Sequence, residues 1–119
     1  MTPHTVLVVD DEAGMRDTLV DILEAAGYDV TPAEDGAIAL EMARSHPYDV
    51  IVMDIRMPVL NGVEVLASLK SPPPQVVLMT GFAFEEQLEE ARAHNAFAIM
   101  QKPFQVPHLL QVIAAAAAA

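Results

Sequence analysis

The chain has 119 residues, a length that suits one compact domain. Its net charge of −11 and its only two lysines, Lys70 and Lys102, exclude a nucleic-acid surface, which needs clustered basic residues, and suit a cation site or a basic protein partner. There is no cysteine for a disulfide or thiolate metal site, no apolar run approaches the ~18 residues of a membrane span, and the polar start Met1–His4 carries no secretory signal, so a cytoplasmic domain with no membrane attachment is expected.

Thr5–Val9 (TVLVV) is a continuous apolar run of the kind that sits in a sheet covered on both faces. Over Glu12–Ala26, Met15, Leu19, Ile22, Leu23 and Ala26 recur at helical spacing, and Gly27 stops the helix. Tyr28–Thr31 forms a short second strand. A helix opens at Asp35-Gly36 and runs through Arg44, with Ile38, Leu40 and Ala43 available for burial, and Pro47 ends it. Asp49–Met53 is a third buried strand. After a turn at Pro58–Gly62, a short helix reaches about Lys70 with Val63, Leu66 and Leu69 inward. Ser71–Pro74 is an extended linker, because proline fixes φ and lacks an amide donor. Gln75–Met79 is strand four, Phe84–His94 a helix and Phe97–Met100 strand five. A last helix from about Gln105 carries Val106, Leu109, Leu110 and Ile113, and the closing run Ala114–Ala119 carries no chemistry.

This alternation predicts an α/β fold: (βα)₅, doubly wound, with a five-stranded parallel sheet in the order 2-1-3-4-5 and right-handed crossovers. It is one domain with a core from about residue 5 to residue 113. In an open sheet of this kind, function sits outside the carboxyl ends of the strands. Strand one ends in Asp10-Asp11, strand three in Asp54 and strand four in Thr80, and strand five leads to Lys102-Pro103. Three carboxylates converging on one edge raise one another's pKa and oppose folding unless a cation joins them. All-oxygen ligation without His or Cys points to Mg²⁺, with Mn²⁺ as the alternative. Lys102 supplies a second positive charge and Thr80 a hydroxyl donor. The set reads as an electrostatic clamp for phosphoryl transfer onto a carboxylate.

Four stretches, in order and spacing, resemble the receiver family of two-component response regulators: VLVVDDE (Val6–Glu12), MDIRMPVLNG (Met53–Gly62), MTGF (Met79–Phe82) and QKPF (Gln101–Phe104). The resemblance spans Thr5 to about Ile113 and implies a flavodoxin-like fold. It also implies a non-enzymatic phosphoacceptor, served by a sensor histidine kinase or histidine phosphotransfer protein and acting on a downstream output domain or protein. Carried over, Asp54 resembles the phosphorylated aspartate and Asp10 and Asp11 the acidic metal pair, with Asp11 the favoured direct ligand. The main-chain carbonyl of Arg56 would complete the metal shell. Thr80 would be the switch hydroxyl, Lys102 the phosphate-facing lysine and Pro103 the proline after a cis bond. Gly14 and Met15 resemble the segment that docks the kinase or phosphotransfer helix, although the spacing of Met15 also suits the core.

One position departs from the family pattern: Ile99 stands where the switch aromatic, Tyr or Phe, is usual. Phe97 shares that face of the strand but does not align with it. Isoleucine is stiff at χ1 and has no ring to relocate, so switching is expected to run through the Gly81-Phe82 loop and the fourth helix. Four histidines, His4, His46, His94 and His108, show no ligand spacing and read as surface residues. The EEQLEEAR face (Glu85–Arg92) reads as a solvated helix surface. Uncharged or weakly charged Gln101, His108 and Gln111 argue against the charged dimer face of winged-helix regulators. Three other functions fit less well. A haloacid-dehalogenase-like phosphohydrolase would carry its nucleophile after the first strand, the reverse of the order here. A nucleotide-binding module would need a G-x-G-x-x-G or P-loop, and neither is present. A degenerate receiver that only binds protein would not retain all five site residues.

Overall fold

The computed structural model describes residues 3–69 and 74–119. Among the described residues ten elements alternate: β1 (Thr5–Val9), α1 (Ala13–Ala25), β2 (Asp29–Ala33), α2 (Gly36–Ser45), β3 (Val50–Asp54), α3 (Gly62–Ser68), β4 (Gln75–Thr80), α4 (Glu85–Ala93), β5 (Ala98–Gln101) and α5 (Val106–Ala118). The strands are all parallel, in the order β2-β1-β3-β4-β5, as the alternation of short apolar runs and helical periods requires.

Strand parity divides the core. Ile51 and Met53 of β3 face one layer, where Ala39 and Leu40 of α2, Val63, Val65 and Leu66 of α3 and Ala91 of α4 pack. Val50 and Val52 face the other, against Leu19 and Leu23 of α1 and Leu109 and Ile113 of α5. Every residue of β3 is buried, which is why that strand reads as an unbroken apolar run rather than an alternating one.

Boundaries shift where local hydrogen bonds decide them. Asp35 caps α2, its Oδ1 accepting from the Ile38 amide at 2.8 Å. Asn61 and Glu64 close a reciprocal capping box at α3. Gly27 follows α1 at φ +98°, a conformation that favours glycine. Two inward assignments are corrected. Ile38 is exposed and Ala39 takes its place beside Leu40, because the buried stripe of α2 lies one residue further round; Val106 is exposed at the first turn of α5. Helix α3 ends at Ser68, short of the expected Lys70; Lys70 and the Ser71–Pro73 part of the expected linker lie outside the described residues. The alanine-rich end continues α5 to Ala118, as alanine's helix propensity favours, and Ala116 is buried against the α1/α5 layer.

Candidate functional site

Register brings the polar residues together. Val9 of β1 lies level with Met53 of β3, so Asp10 and Asp54 end their strands side by side. Thr80 of β4 pairs with Gln101 of β5, one step beyond the level of Asp54. The Lys102 amide donates to the Thr80 carbonyl at 2.8 Å, which carries the strand pairing up to the lysine. The Lys102–Pro103 peptide bond is cis.

Each buried carboxylate is fixed by the main chain that follows it. Asp10 Oδ1 accepts from the Glu12 amide at 2.9 Å, and Asp54 Oδ1 from the Arg56 amide at 3.0 Å. In both cases an Asp side chain accepts from the amide two residues on, the turn chemistry of an Asp at the end of a strand. The other oxygens converge on Lys102, whose Nζ lies 2.5 Å from Asp54 Oδ2 and 3.4 Å from Asp10 Oδ2. Lys102 is therefore a half-buried bridge between two carboxylates, not a charge at the surface edge.

Burial lifts the Asp10 carboxyl above its usual range; the Glu12 amide and Lys102 oppose the shift, while the charge of Asp54 adds to it. For Lys102, burial pulls the pKa down, but its hydrogen bond to Asp54 and the charges of Asp54 and Asp10 outweigh it, and the net shift is upward. Asp11 is exposed at the rim. One carboxylate oxygen each from Asp10, Asp11 and Asp54 lie within 4.8 Å of one another, close to the ~4.2 Å across an ion with bonds of about 2.1 Å. With all three ionised, Lys102 leaves two negative charges uncompensated. That balance and the all-oxygen donor set fit a divalent hard cation.

Thr80 is buried, and its Oγ1 has no hydrogen-bond partner among the described residues. A buried, unsatisfied hydroxyl costs about 1–3 kcal/mol, so this one is a donor lacking its acceptor. Gly14 is exposed, whereas Met15 is half-buried against the α1/α5 core layer. Ile99 is half-buried against the opposite layer, Gly81 and Phe82 are exposed, and His4, His46, His94 and His108 are all exposed.

Three supports were missed in the sequence. The Arg16 guanidinium donates to the Asp10 carbonyl at 2.8 Å. Gly62 packs so closely behind Asp54 that a Cβ there would stand 2.6 Å from the Asp54 carbonyl oxygen. Val59 adopts φ +70°, with the Leu60 amide bonded to the Pro58 carbonyl at 2.9 Å across it, a strained γ-turn in the loop after β3. The glycine could have been suspected from the motif; the other two depend on contacts that no sequence pattern specifies.

Comparison with known proteins agrees with this geometry. The response regulator receiver domain family matches residues 6–114. The polar-differentiation response regulator DivK of Brucella ovis is 34% identical over 117 residues, covering 95% of this chain and 94% of DivK. The transcriptional regulatory protein PdtaR of Mycobacterium tuberculosis is 34% identical over 113 residues, covering 93% of this chain but 55% of PdtaR, so the chain spans about half the length of that relative. The crystal structure of a CheY-like receiver domain protein from Methanospirillum hungatei superposes with a TM-score of 0.93 at 27% identity, covering 98% of this chain and 95% of that one. Nothing among these relatives supports the phosphohydrolase alternative. Sheet order, the polar edge and the matched span agree over nearly the whole chain, which belongs to the response regulator receiver domain family of two-component signalling.

Proposed function

We propose that this receiver domain accepts a phosphoryl group on Asp54 from a phosphohistidine of a sensor kinase or phosphotransfer protein. The observation that carries the reading is the bridging of two buried carboxylates by Lys102 beside the unpartnered Thr80 hydroxyl. An oxygen of Asp54 forms the new bond to phosphorus as the donor's P–N bond breaks and its electron pair returns to the imidazole. Lys102 sits where a phosphoryl oxygen attached to Asp54 would meet its charge, and Thr80 holds a hydroxyl free to donate to another. Asp10, Asp11, Asp54 and the Arg56 carbonyl would hold Mg²⁺ or Mn²⁺. When bound, the ion neutralises charge on the phosphoryl oxygens as the dianionic donor approaches.

In this reading the domain promotes its own phosphorylation and dephosphorylation without turning over a separate substrate, and it passes the signal to a downstream output domain or protein in the cytoplasm. Gly14 and Met15 would meet the donor's helix. Conformational change would run from Thr80 through Gly81, Phe82 and α4, with Ile99 keeping one rotamer.

Incubation with acetyl phosphate and Mg²⁺ should give one phosphoryl adduct by intact mass, absent in Asp54→Asn and strongly reduced in Asp11→Asn. An adduct of equal yield in EDTA would refute the metal-assisted mechanism.

A further inference from the structure

A cleft of about 450 Å³ opens between the loop after β3 and helix α4, lined by Arg56, Met57, Pro58, Asn61 and Gln87. None of these is an acid, in a chain whose net charge is −11. Three carry side-chain N–H groups, and the fold dictates which of those groups are free. Asn61 commits its side-chain oxygen to α3, where Oδ1 accepts from the Glu64 amide at 2.8 Å. Gln87 does the same for α4: its Oε1 accepts from the Phe84 amide at 3.1 Å. A planar amide held by its oxygen in this way has its NH₂ end to offer a further partner. The Arg56 guanidinium sits over the Phe82 ring, 5.6 Å from its centroid. That contact engages the charge and leaves the N–H groups open. Among the described residues, the Arg56 guanidinium, Asn61 Nδ2 and Gln87 Nε2 take part in no hydrogen bond or ion pair.

Side-chain donors without a side-chain acceptor, one of them a cation, are the complement of an oxyanion. A guanidinium fork meets two oxygens of a carboxylate or phosphate at once, and amide NH₂ groups suit the lone pairs that remain. The cleft has the volume of a small-molecule site, about 300–1,000 Å³, rather than of a single ion. Met57 and Pro58 add an apolar wall for an organic body. The acidic balance of the chain also favours a small molecule over an acidic protein. Such a protein would bring many negative charges within a Debye length of this surface, about 8 Å at physiological salt, whereas a small anion brings few.

We propose that this cleft binds the carboxylate or phosphate group of a small organic anion, with Arg56, Asn61 and Gln87 as its ligands. The bound group ties the loop after β3 to α4. The site is independent of phosphoryl transfer to Asp54, because it uses the side chain of Arg56 rather than its carbonyl and needs no divalent ion.

The test titrates the isotope-labelled chain in EDTA with citrate and with inorganic phosphate, against potassium chloride at matched ionic strength, and follows the NMR signals of the side-chain NH₂ groups. Those of Asn61 and Gln87 should shift saturably with at least one of the two oxyanions and not with chloride. A response to citrate alone identifies a carboxylate site, and to phosphate alone a phosphate site. Asn61→Asp and Gln87→Glu keep the capping oxygens, so both should melt close to the parent. Each replaces a donor with a negative charge and should weaken binding about tenfold or more, read from the remaining amide, and Arg56→Ala should do the same. No saturation with either oxyanion, an equal response to chloride, or parental affinity in Arg56→Ala or in both amide variants would overturn the site. So would shifts confined to the main-chain amides of Thr80 and Lys102, which would put the anion at the carboxyl edge of the sheet instead.

Discussion

Gly62→Ala tests whether Asp54 is held by close backbone packing. The new Cβ would stand 2.6 Å from the Asp54 carbonyl oxygen and 3.0 Å from the Ile55 Cα, both main-chain atoms that cannot rotate away. To reach ordinary contact at 3.4 Å, the end of β3 and the start of α3 must separate by about 0.8 Å. The Gly62 amide to Ile55 carbonyl bond of 2.8 Å lies across that same gap and would lengthen with it. Overpacking of this kind costs about 1–3 kcal/mol, and with only backbone to move the upper half of that range is expected. In a domain of this size that lowers Tm by roughly 10 °C. The displaced segment carries both Asp54 and the Arg56 amide, so phosphorylation by acetyl phosphate should slow by about 10- to 100-fold, as misplacements approaching 1 Å do. Gly14→Ala is the control: it lies in α1 with nothing within 4 Å of a Cβ, and should gain about 0.5–1 kcal/mol from helix propensity. Thermal melts and single-turnover phosphorylation read both variants. If Gly62→Ala melts within about 2 °C of the parent and is phosphorylated at the parental rate, tight packing behind Asp54 does not position it.

Lys102→Ala in the absence of divalent metal should destabilise the domain by about 1–3 kcal/mol, below the 3–5 of a fully buried pair because lysine and Asp54 keep some exposure, and added Mg²⁺ should recover part of the loss; urea titrations with and without the ion would show it. Met15→Ala should slow transfer from the cognate kinase or phosphotransfer protein, while acetyl phosphate, which docks nothing, should work as before; a large stability loss would show that the core contact of Met15 is its main role. At the opposite edge of the sheet, the Thr5 amide, and after it His4 and the Thr5 hydroxyl, hold the Asp49 carboxyl below its usual value of 3.8 against an upward pull from burial that is smaller than the effect of the amide. A depressed folded pKa means that this contribution to stability is present above the unfolded value and is lost as pH falls through the folded one. Asp49→Asn should therefore flatten the fall of stability with pH below about 4, read from urea midpoints across that range, and an unchanged acid limb would refute the assignment.

The sequence by itself determined the strand and helix order, because runs such as Thr5–Val9 and Val50–Asp54 are buried on both faces and the helices between them repeat at 3.6. It also determined which residues stand at the carboxyl edge, since each of Asp10, Asp54 and Thr80 ends a strand or follows one directly. The tertiary structure alone decided which atoms meet. Lys102 reads in sequence as an edge charge; only the pairing of β4 with β5 carries its ammonium over to both Asp54 and Asp10, residues 48 and 92 positions away. The helix faces went the same way: Ile38 and Ala39 both fit an apolar stripe, and the packing of α2 against α3 buried Ala39 and left Ile38 in solvent. Gly36 and Gly62 look like ordinary punctuation, yet each is pressed against the main chain of another segment, Gly36 on the Leu60 carbonyl and Gly62 on that of Asp54. The contact of Arg56 with Phe82 likewise joins two loops distant in sequence. Periodicity is a local property and fixes what each segment becomes; distances between segments follow from how the layers stack, which no single stretch of the chain encodes.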